Sequence, residues 1–234
     1  MSDCKRGTEA PLAFRPSADS APVRTLVDLG PSIANPGPLG LFAFSLTTVF
    51  LSCANAGLVE IDFEAVVWCY ALAWGGATQW VAGILEFFKK NIFGATVFCT
   101  YGAFWVGLAI FKFAVAGKAL TLSGSIQGGM ALYFSAWGVL SIVYFIGSLR
   151  VSVALAAIFV PLILAFFTLV GGQYSTASLR AGGWFGIMAA AIAFYLGERF
   201  SRHCSMKKPT HFFSRFLFTR RPRCRPISER DVPI

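Results

Sequence analysis

The residues in this sequence that could do chemistry lie at the start of, or inside, long apolar stretches. Asn35-Pro36-Gly37-Pro38 opens one such stretch. Asn is a favoured N-cap and Pro suits the first helical turn, so the pattern predicts a helix start. Its free backbone N–H groups and the positive end of the helix dipole could hold a carboxylate. The other interpretation, which the stretch alone favours, is that Asn-Pro only caps a spanning helix.

A second candidate is Gln79, which lies about halfway along another apolar stretch. An amide in such a position needs hydrogen-bond partners, so it faces either a neighbouring helix or a water-filled pore. The sequence gives these two interpretations equal weight. A polar path through a helix bundle would use further residues of the same kind, namely Asn35, Asn55, Thr100, Tyr101, Gln127 and Ser135.

Motifs for enzymatic chemistry are absent from the sequence. It contains no H-E-x-x-H, no G-x-S-x-G, no intramembrane aspartate pair and no Walker A sequence. The six cysteines form no C-x-x-C pair, and His203, Cys204, His211 and Cys224 fit no familiar zinc spacing. We therefore expect no catalytic residues, no metal site and no cofactor, and transport is the better class of function.

The composition is that of an integral membrane protein. Of 234 residues, 56% are hydrophobic and only 13% are charged, and the mean hydropathy is +0.65. Six apolar segments are long enough to cross a bilayer, at about 39–55, 65–85, 93–115, 127–149, 151–170 and 181–200. The expected organisation is all-α, with a disordered arm at 1–34, a six-helix transmembrane domain at 35–200 and a basic, aromatic tail at 201–234.

The distribution of Lys and Arg predicts the orientation. With six spans, seventeen of the 20 basic residues fall on the side of the two chain ends, and only Lys112, Lys118 and Arg180 fall on the other side. Loops rich in Lys and Arg stay in the cytoplasm, so both termini are expected there. The tail interleaves basic residues with phenylalanines, which favours contact with an anionic lipid surface over a nucleic acid.

Three motifs carry a resemblance to a known family. Asn35-Pro36-Gly37-Pro38-Leu39-Gly40-Leu41 resembles the N-P-[AV]-P-L-G-L signature of the acetate uptake transporter family, and a weaker match starts at Gly183-Trp184. This family comprises succinate/acetate and proton symporters and includes fungal members linked to ammonium export. Gly37 and Lys90 depart from the family pattern. The most extended match, in order and spacing, consists of Gly75-Gly76, Gln79, Ala82-Gly83, Glu86-Phe87, Asn91, Phe93-Gly94, Tyr101-Gly102 and Phe104-Trp105.

The resemblance implies a six-helix protomer with its own pore, assembled as a cyclic hexamer. The expected location is the plasma membrane, with an organelle membrane as the alternative. The pore would be narrowed by a ring of Phe44, Tyr101 and Leu162. The candidate substrate-binding residues are Asn35, Pro36, Leu39, Phe44, Asn55, Gln79, Tyr101 and Leu162, and the candidate pore-mouth charges are Glu86 and Lys112.

The implied function is a proton-linked transporter or channel for small monocarboxylates such as acetate, with succinate or lactate as further cargo. No Asp or Glu falls in the central part of any predicted span. We therefore expect the proton to cross as part of the substrate, because a bare carboxylate within an apolar ring would cost several kcal/mol. Two alternatives stay open: an ammonia or ammonium transporter, and a membrane sensor or scaffold whose basic tail recruits partners.

Overall fold

The computed structural model describes residue 30 and residues 33–206, and the arm and most of the tail lie outside this part. What it describes is helical. Helix α1 is followed by a short 3₁₀ turn, Ile61–Phe63, and by a continuous rod in which α2, a π-helical segment and α3 succeed one another. The bounds are α1 Gly37–Ala56, α2 Glu64–Tyr70, the π-helical segment Ala71–Thr78, α3 Gln79–Phe88, α4 Ile92–Ala116, α5 Gln127–Ser148, α6 Val153–Gly172 and α7 Thr176–Met206.

Within the described residues, five helices are individually long and apolar enough to cross a membrane: α1, α4, α5, α6 and the part of α7 from Thr176 to Arg202. The remaining predicted segment, 65–85, falls on the rod, whose three parts are each too short to span alone. Helix α7 begins five residues before the predicted 181, because its first turn is polar and carries no hydropathy signal.

The rod packs closely against α1 and α4 because two glycines leave room for them. A Cβ atom at Gly75 would lie 2.8 Å from the Thr47 side chain and 2.9 Å from the Trp105 ring. A Cβ at Gly76 would clash with the Val106 side chain of α4 and would lie 3.5 Å from the Val106 backbone nitrogen. Both glycines lie in the π-helical segment, whose wider turn changes the direction in which every later side chain of the rod points. Gln79, the first residue of α3, follows directly.

Helices α1 and α7 form the closest helix pair. The hydroxyl of Ser45 donates a 2.8 Å hydrogen bond to the carbonyl of Ala190 across their contact. At Gly183 a Cβ would come within 2.7 Å of the Ser52 carbonyl oxygen and 2.8 Å of the Ala56 Cα. Small residues allow such backbone contact in membranes, where packing rather than water exclusion holds helices together. This contact places α1, and with it Phe44, at a fixed depth in the bundle.

We expect Gly183→Ala to destabilise the bundle by about 1–3 kcal/mol, since the added methyl meets backbone atoms that cannot move aside. Gly107→Ala is the matched control, because nothing lies within 4 Å of its added Cβ. The measurement is the thermal unfolding midpoint of each purified variant in detergent, followed by size-exclusion chromatography. Equal midpoints for the two variants would contradict the close contact.

Candidate functional site

Two chambers open at opposite ends of the bundle. The first, which we name the Asn35 chamber, has a volume of about 370 Å³ and is lined by residues that include Asn35, Gln79, Glu86 and Tyr101. The second, the Lys112 chamber, has a volume of about 410 Å³, and its lining includes Asn55, Glu64, Trp68, Lys112 and Gln127. The two chambers have no lining residue in common. Both volumes are large enough for a small organic acid.

A layer of buried side chains separates the chambers. Phe44 of α1, Tyr101 of α4 and Leu162 of α6 are buried and line the deep end of the Asn35 chamber. About two turns further along the same helices, Leu51, Leu108 and Leu169 line the Lys112 chamber. The Phe44 and Tyr101 rings meet edge to face at 5.8 Å between centroids. Phe104 and Phe166, between these two levels, meet in the same way at 5.6 Å.

Tyr101 is held in this layer by a short chain of hydrogen bonds. The Ser141 hydroxyl donates to the Trp137 carbonyl at 2.7 Å, and the Tyr101 and Ser141 hydroxyl oxygens are also 2.7 Å apart. Because the Ser141 proton is directed at Trp137, the Tyr101 O–H is the donor to Ser141. Both residues are buried, so the phenol is satisfied by the protein alone. The ring is thereby fixed across the space between the chambers.

Gln79, unlike Tyr101, is buried with a polar atom that no protein group satisfies. It is only 1% exposed and lines the Asn35 chamber, yet its Oε1 atom has no hydrogen-bond partner. A buried carbonyl oxygen without a donor is costly and rare in folded proteins. In the described part of the chain, three more buried polar atoms share this condition: the hydroxyls of Thr47 and Thr48 and the Nε1 of Trp105. Thr47 and Trp105 both flank Gly75, where the rod packs against α1 and α4.

Glu86 is the charged residue of the Asn35 chamber. It is only 3% exposed, and its carboxylate accepts a 2.7 Å hydrogen bond from the Asn91 side chain. Asn91 in turn caps α4 by accepting from the Gly94 N–H at 3.2 Å. A Cβ at Gly37, the first residue of α1, would lie 3.5 Å from the Glu86 Oε1. The carboxylate therefore lies between two helix N-termini, whose positive dipole ends favour a negative charge.

The structure brings most of the predicted site residues to one chamber or the other. Pro36 and Leu39 line neither: the Pro36 carbonyl accepts the first helical hydrogen bond, from Gly40, and Leu39 packs against the core. The prediction that Asn35 is the N-cap of α1 is wrong, because Pro36 occupies that position; Asn35 precedes it, and its Oδ1 accepts from the Gly37 N–H at 3.0 Å. The Asn35 chamber receives Asn35, Phe44, Gln79, Glu86, Tyr101 and Leu162, and the Lys112 chamber receives Asn55 and Lys112.

Sequence reasoning missed three buried polar groups. Thr47 and Thr48 are ordinary members of an apolar segment in the sequence, and Trp105 belongs to the family match. Only the packing shows that the polar atoms of all three are buried without partners. Glu86 was expected at a pore mouth; in the structure it is buried and lines the Asn35 chamber, and its place in a pore stays a prediction. The signal for that burial is Asn91, five residues later, whose amide pairs with the carboxylate.

Comparison with known proteins gives a consistent result. The sequence model of the GPR1/FUN34/yaaH family matches residues 23–218. The chain is 35% identical over 167 residues to the succinate-acetate/proton symporter SatP of Escherichia coli, a match that covers 70% of this chain and 86% of SatP. It is 37% identical over 177 residues to acetate permease A of Emericella nidulans, with 69% of this chain and 59% of the permease covered.

Two further proteins are similar to this chain. Ammonia transport outward protein 2 of Saccharomyces cerevisiae is 32% identical over 167 residues, with 69% of this chain and 59% of that protein covered. The solved structure of the bacterial acetate channel SatP resembles this one with a TM-score of 0.67 at 32% identity, covering 75% of this chain and 94% of that chain.

The hydrogen-bond chain at Tyr101 predicts the order in which three variants lose stability. Ser141→Ala leaves the Tyr101 hydroxyl buried without a partner and should cost about 1–3 kcal/mol of stability. Tyr101→Phe should cost less, about 1 kcal/mol, because Ser141 keeps its bond to Trp137. The double variant should be no less stable than Ser141→Ala alone. Chemical unfolding in detergent measures all three, and a Tyr101→Phe cost above that of Ser141→Ala would contradict the direction of the bond.

Proposed function

The chain belongs to the GPR1/FUN34/yaaH family, and from this premise we propose that it carries acetate, or a similar small monocarboxylate, together with a proton across a membrane. It is a multi-pass integral membrane protein. The observation that carries the proposal is the Gln79 amide, which is buried in the wall of the Asn35 chamber with an unpartnered oxygen.

The proposed path runs from one chamber to the other within a single protomer. The rod consists of α2 with seven residues, the π-helical segment with eight and α3 with ten, and together they are long enough to cross the core of a bilayer. With the five long helices, the rod gives six proposed spans. An even number of spans and the basic residues near both termini favour cytoplasmic ends. The Asn35 chamber would then face the cytoplasm and the Lys112 chamber the outside, with the plasma membrane as the proposed location. A cyclic hexamer follows from the resemblance alone.

The chemistry of the dividing layer favours a neutral cargo. A carboxylate that passes between Phe44, Tyr101 and Leu162 would lose its hydration shell, at a cost of several kcal/mol. A protonated acid carries an O–H group that can donate to the Gln79 oxygen and a carbonyl that can accept from an amide N–H. The anion has no donor to offer. The neutral acid is therefore the form of the cargo that satisfies the buried amide, and the proton crosses on it.

The charge in the Asn35 chamber supports the same conclusion. In the part of the chain that the structure describes, Glu86 is the only Asp, Glu, Lys or Arg that lines this chamber. A carboxylate anion would meet like charge there, in a setting where water screens it poorly. A protonated acid would meet no such repulsion. These two features, a single buried carboxylate and an amide that lacks a donor, favour proton-linked movement of an acid over movement of its anion.

Ammonium is the second candidate cargo, and the same site favours it in one respect. An ammonium ion is a donor for the Gln79 oxygen and is attracted by Glu86. A fungal relative is named as an ammonia transport protein. A sensor or scaffold is the third possibility, and it would have no use for two chambers and a buried amide without a partner. We therefore rank acetate first, ammonium second and the scaffold third.

The direct experiment is uptake of labelled acetate into proteoliposomes with and without an inward proton gradient. Protein-free liposomes give the background, since acetic acid itself crosses lipid. We expect gradient-stimulated uptake above this background, reduced about tenfold in Gln79→Leu, because the acid then loses its partner. Thr96→Val is the control, since its hydroxyl is exposed and bonded within its own helix. Uptake by Gln79→Leu equal to that of the control would exclude Gln79 from the path.

The size of the cargo tests the dividing layer. Tyr101→Ala removes the ring that lies across the space between the chambers, so succinate or lactate should enter at a rate that approaches the rate of acetate. Tyr195→Ala, at an exposed position of α7, is the matched control and should keep the wild-type profile. Competition by each acid against labelled acetate gives the profile. If both variants show the same profile, Tyr101 does not line the constriction.

A further inference from the structure

The Lys112 chamber contains a charged pair that the function proposed above does not use. The Lys112 ammonium lies 3.5 Å from the Glu64 carboxylate, although the two residues are 48 positions apart. It also lies 4.8 Å from the centroid of the Trp68 ring, as in a cation–π contact. All three residues line the chamber. The ammonium is therefore held at the chamber wall between a carboxylate and an aromatic face.

The ion pair is loose. Charge-assisted N–H···O bonds are typically 2.7–2.9 Å long, and this one is 3.5 Å. The Lys112 and Glu64 side chains are 36% and 34% exposed, so water has access to both. Ion pairs of this kind contribute little and exchange partners readily. Trp68, by contrast, is buried and gives the ammonium a fixed position whether or not Glu64 stays.

The charges of the two chambers differ in a way that bears on the cargo. Among the described residues, Lys112 is the only Lys or Arg that lines either chamber, and Glu64 is the only Asp or Glu that lines the chamber of Lys112. A carboxylate that enters from this end meets one positive group, the Lys112 ammonium. That ammonium is already paired with another carboxylate, that of Glu64. The Asn55 amide lies in the same lining and offers N–H donors to a carboxylate.

We propose that Lys112 is the first binding site for the carboxylate of the cargo and that Glu64 competes with the cargo for it. This inference rests on the proposed function and deepens it, since it names the group that collects a small monocarboxylate anion before it is protonated and passes the dividing layer. Glu64 acts as an internal substitute for the cargo. Glu64 pairs with the ammonium while the chamber holds no cargo. When cargo enters, Glu64 competes for the ammonium and so lowers the affinity of the chamber for the cargo.

The test uses substitutions with opposite expected effects. Lys112→Gln should raise the acetate concentration for half-saturation about fivefold, and Glu64→Gln should lower it about two- to fivefold, the range that partly exposed charge pairs reach. Lys112→Arg keeps the charge and should stay near wild type. In the double variant Lys112→Gln/Glu64→Gln, the loss of Glu64 should have no further effect, because its only action is through Lys112.

Acetate binding is measured by saturation-transfer NMR on the acetate methyl signal, with purified protein in detergent so that both chambers face solution. Lys118→Gln and Glu60→Gln are the controls, because both residues are exposed and line neither chamber. Thermal unfolding of each variant shows that it is folded. Labelled acetate uptake by the wild type, measured in parallel, tests the proposed function separately.

The outcomes are distinct. Opposite shifts at Lys112 and Glu64, absent from the controls and lost in the double variant, support the inference. Shifts in the same direction, or none, in a protein whose wild type takes up acetate would overturn the inference and leave the proposed function intact. If acetate uptake fails and methylammonium binding shows the reverse pattern, weaker without Glu64 and stronger without Lys112, both are overturned in favour of a cationic cargo.

Discussion

The free-energy cost of a buried polar atom without a partner is the constraint on which the rest of this structure depends. Most polar side chains in the bundle avoid it through bonds within the protein, as Tyr101 and Ser141 do. The Gln79 oxygen does not, and neither do the buried hydroxyls of Thr47 and Thr48. In the proposed function, a cargo that donates hydrogen bonds removes that cost as it passes, and this is why we propose that the neutral acid is the form that crosses.

The glycine pair and the π-helical segment of the rod determine where Gln79 lies. Gly75 and Gly76 let the rod approach α1 and α4 closely, and the π-helical segment that contains them changes the rotation of α3. Gln79 follows immediately and points into the Asn35 chamber instead of toward lipid. Proton linkage in this account needs no buried carboxylate relay, since the acid carries its own proton. Glu86 and Lys112 instead set the electrostatic character of the two chambers.

Much of the fold was predictable from the sequence, because a membrane helix needs a long uncharged run that few other structures share. Five of the six expected segments are helices of spanning length, and the remaining segment is helical but interrupted. The π-helical turn was not predictable, since glycine pairs in apolar segments more often serve packing. The ring of Phe44, Tyr101 and Leu162 came from the family resemblance, and those residues do line the Asn35 chamber. The pairing of Lys112 with Glu64 depends on a contact between distant segments, which no local pattern reveals.

The central claim is that the cargo crosses the dividing layer as a neutral acid. It is tested most directly by measuring acetate influx and internal pH together in proteoliposomes held at imposed membrane potentials with potassium and valinomycin. We expect one proton to accompany each acetate, and a protein-dependent influx that does not change with the potential. An influx driven by the potential, without acidification of the interior beyond that of protein-free liposomes, would show that the anion crosses alone and would contradict the account.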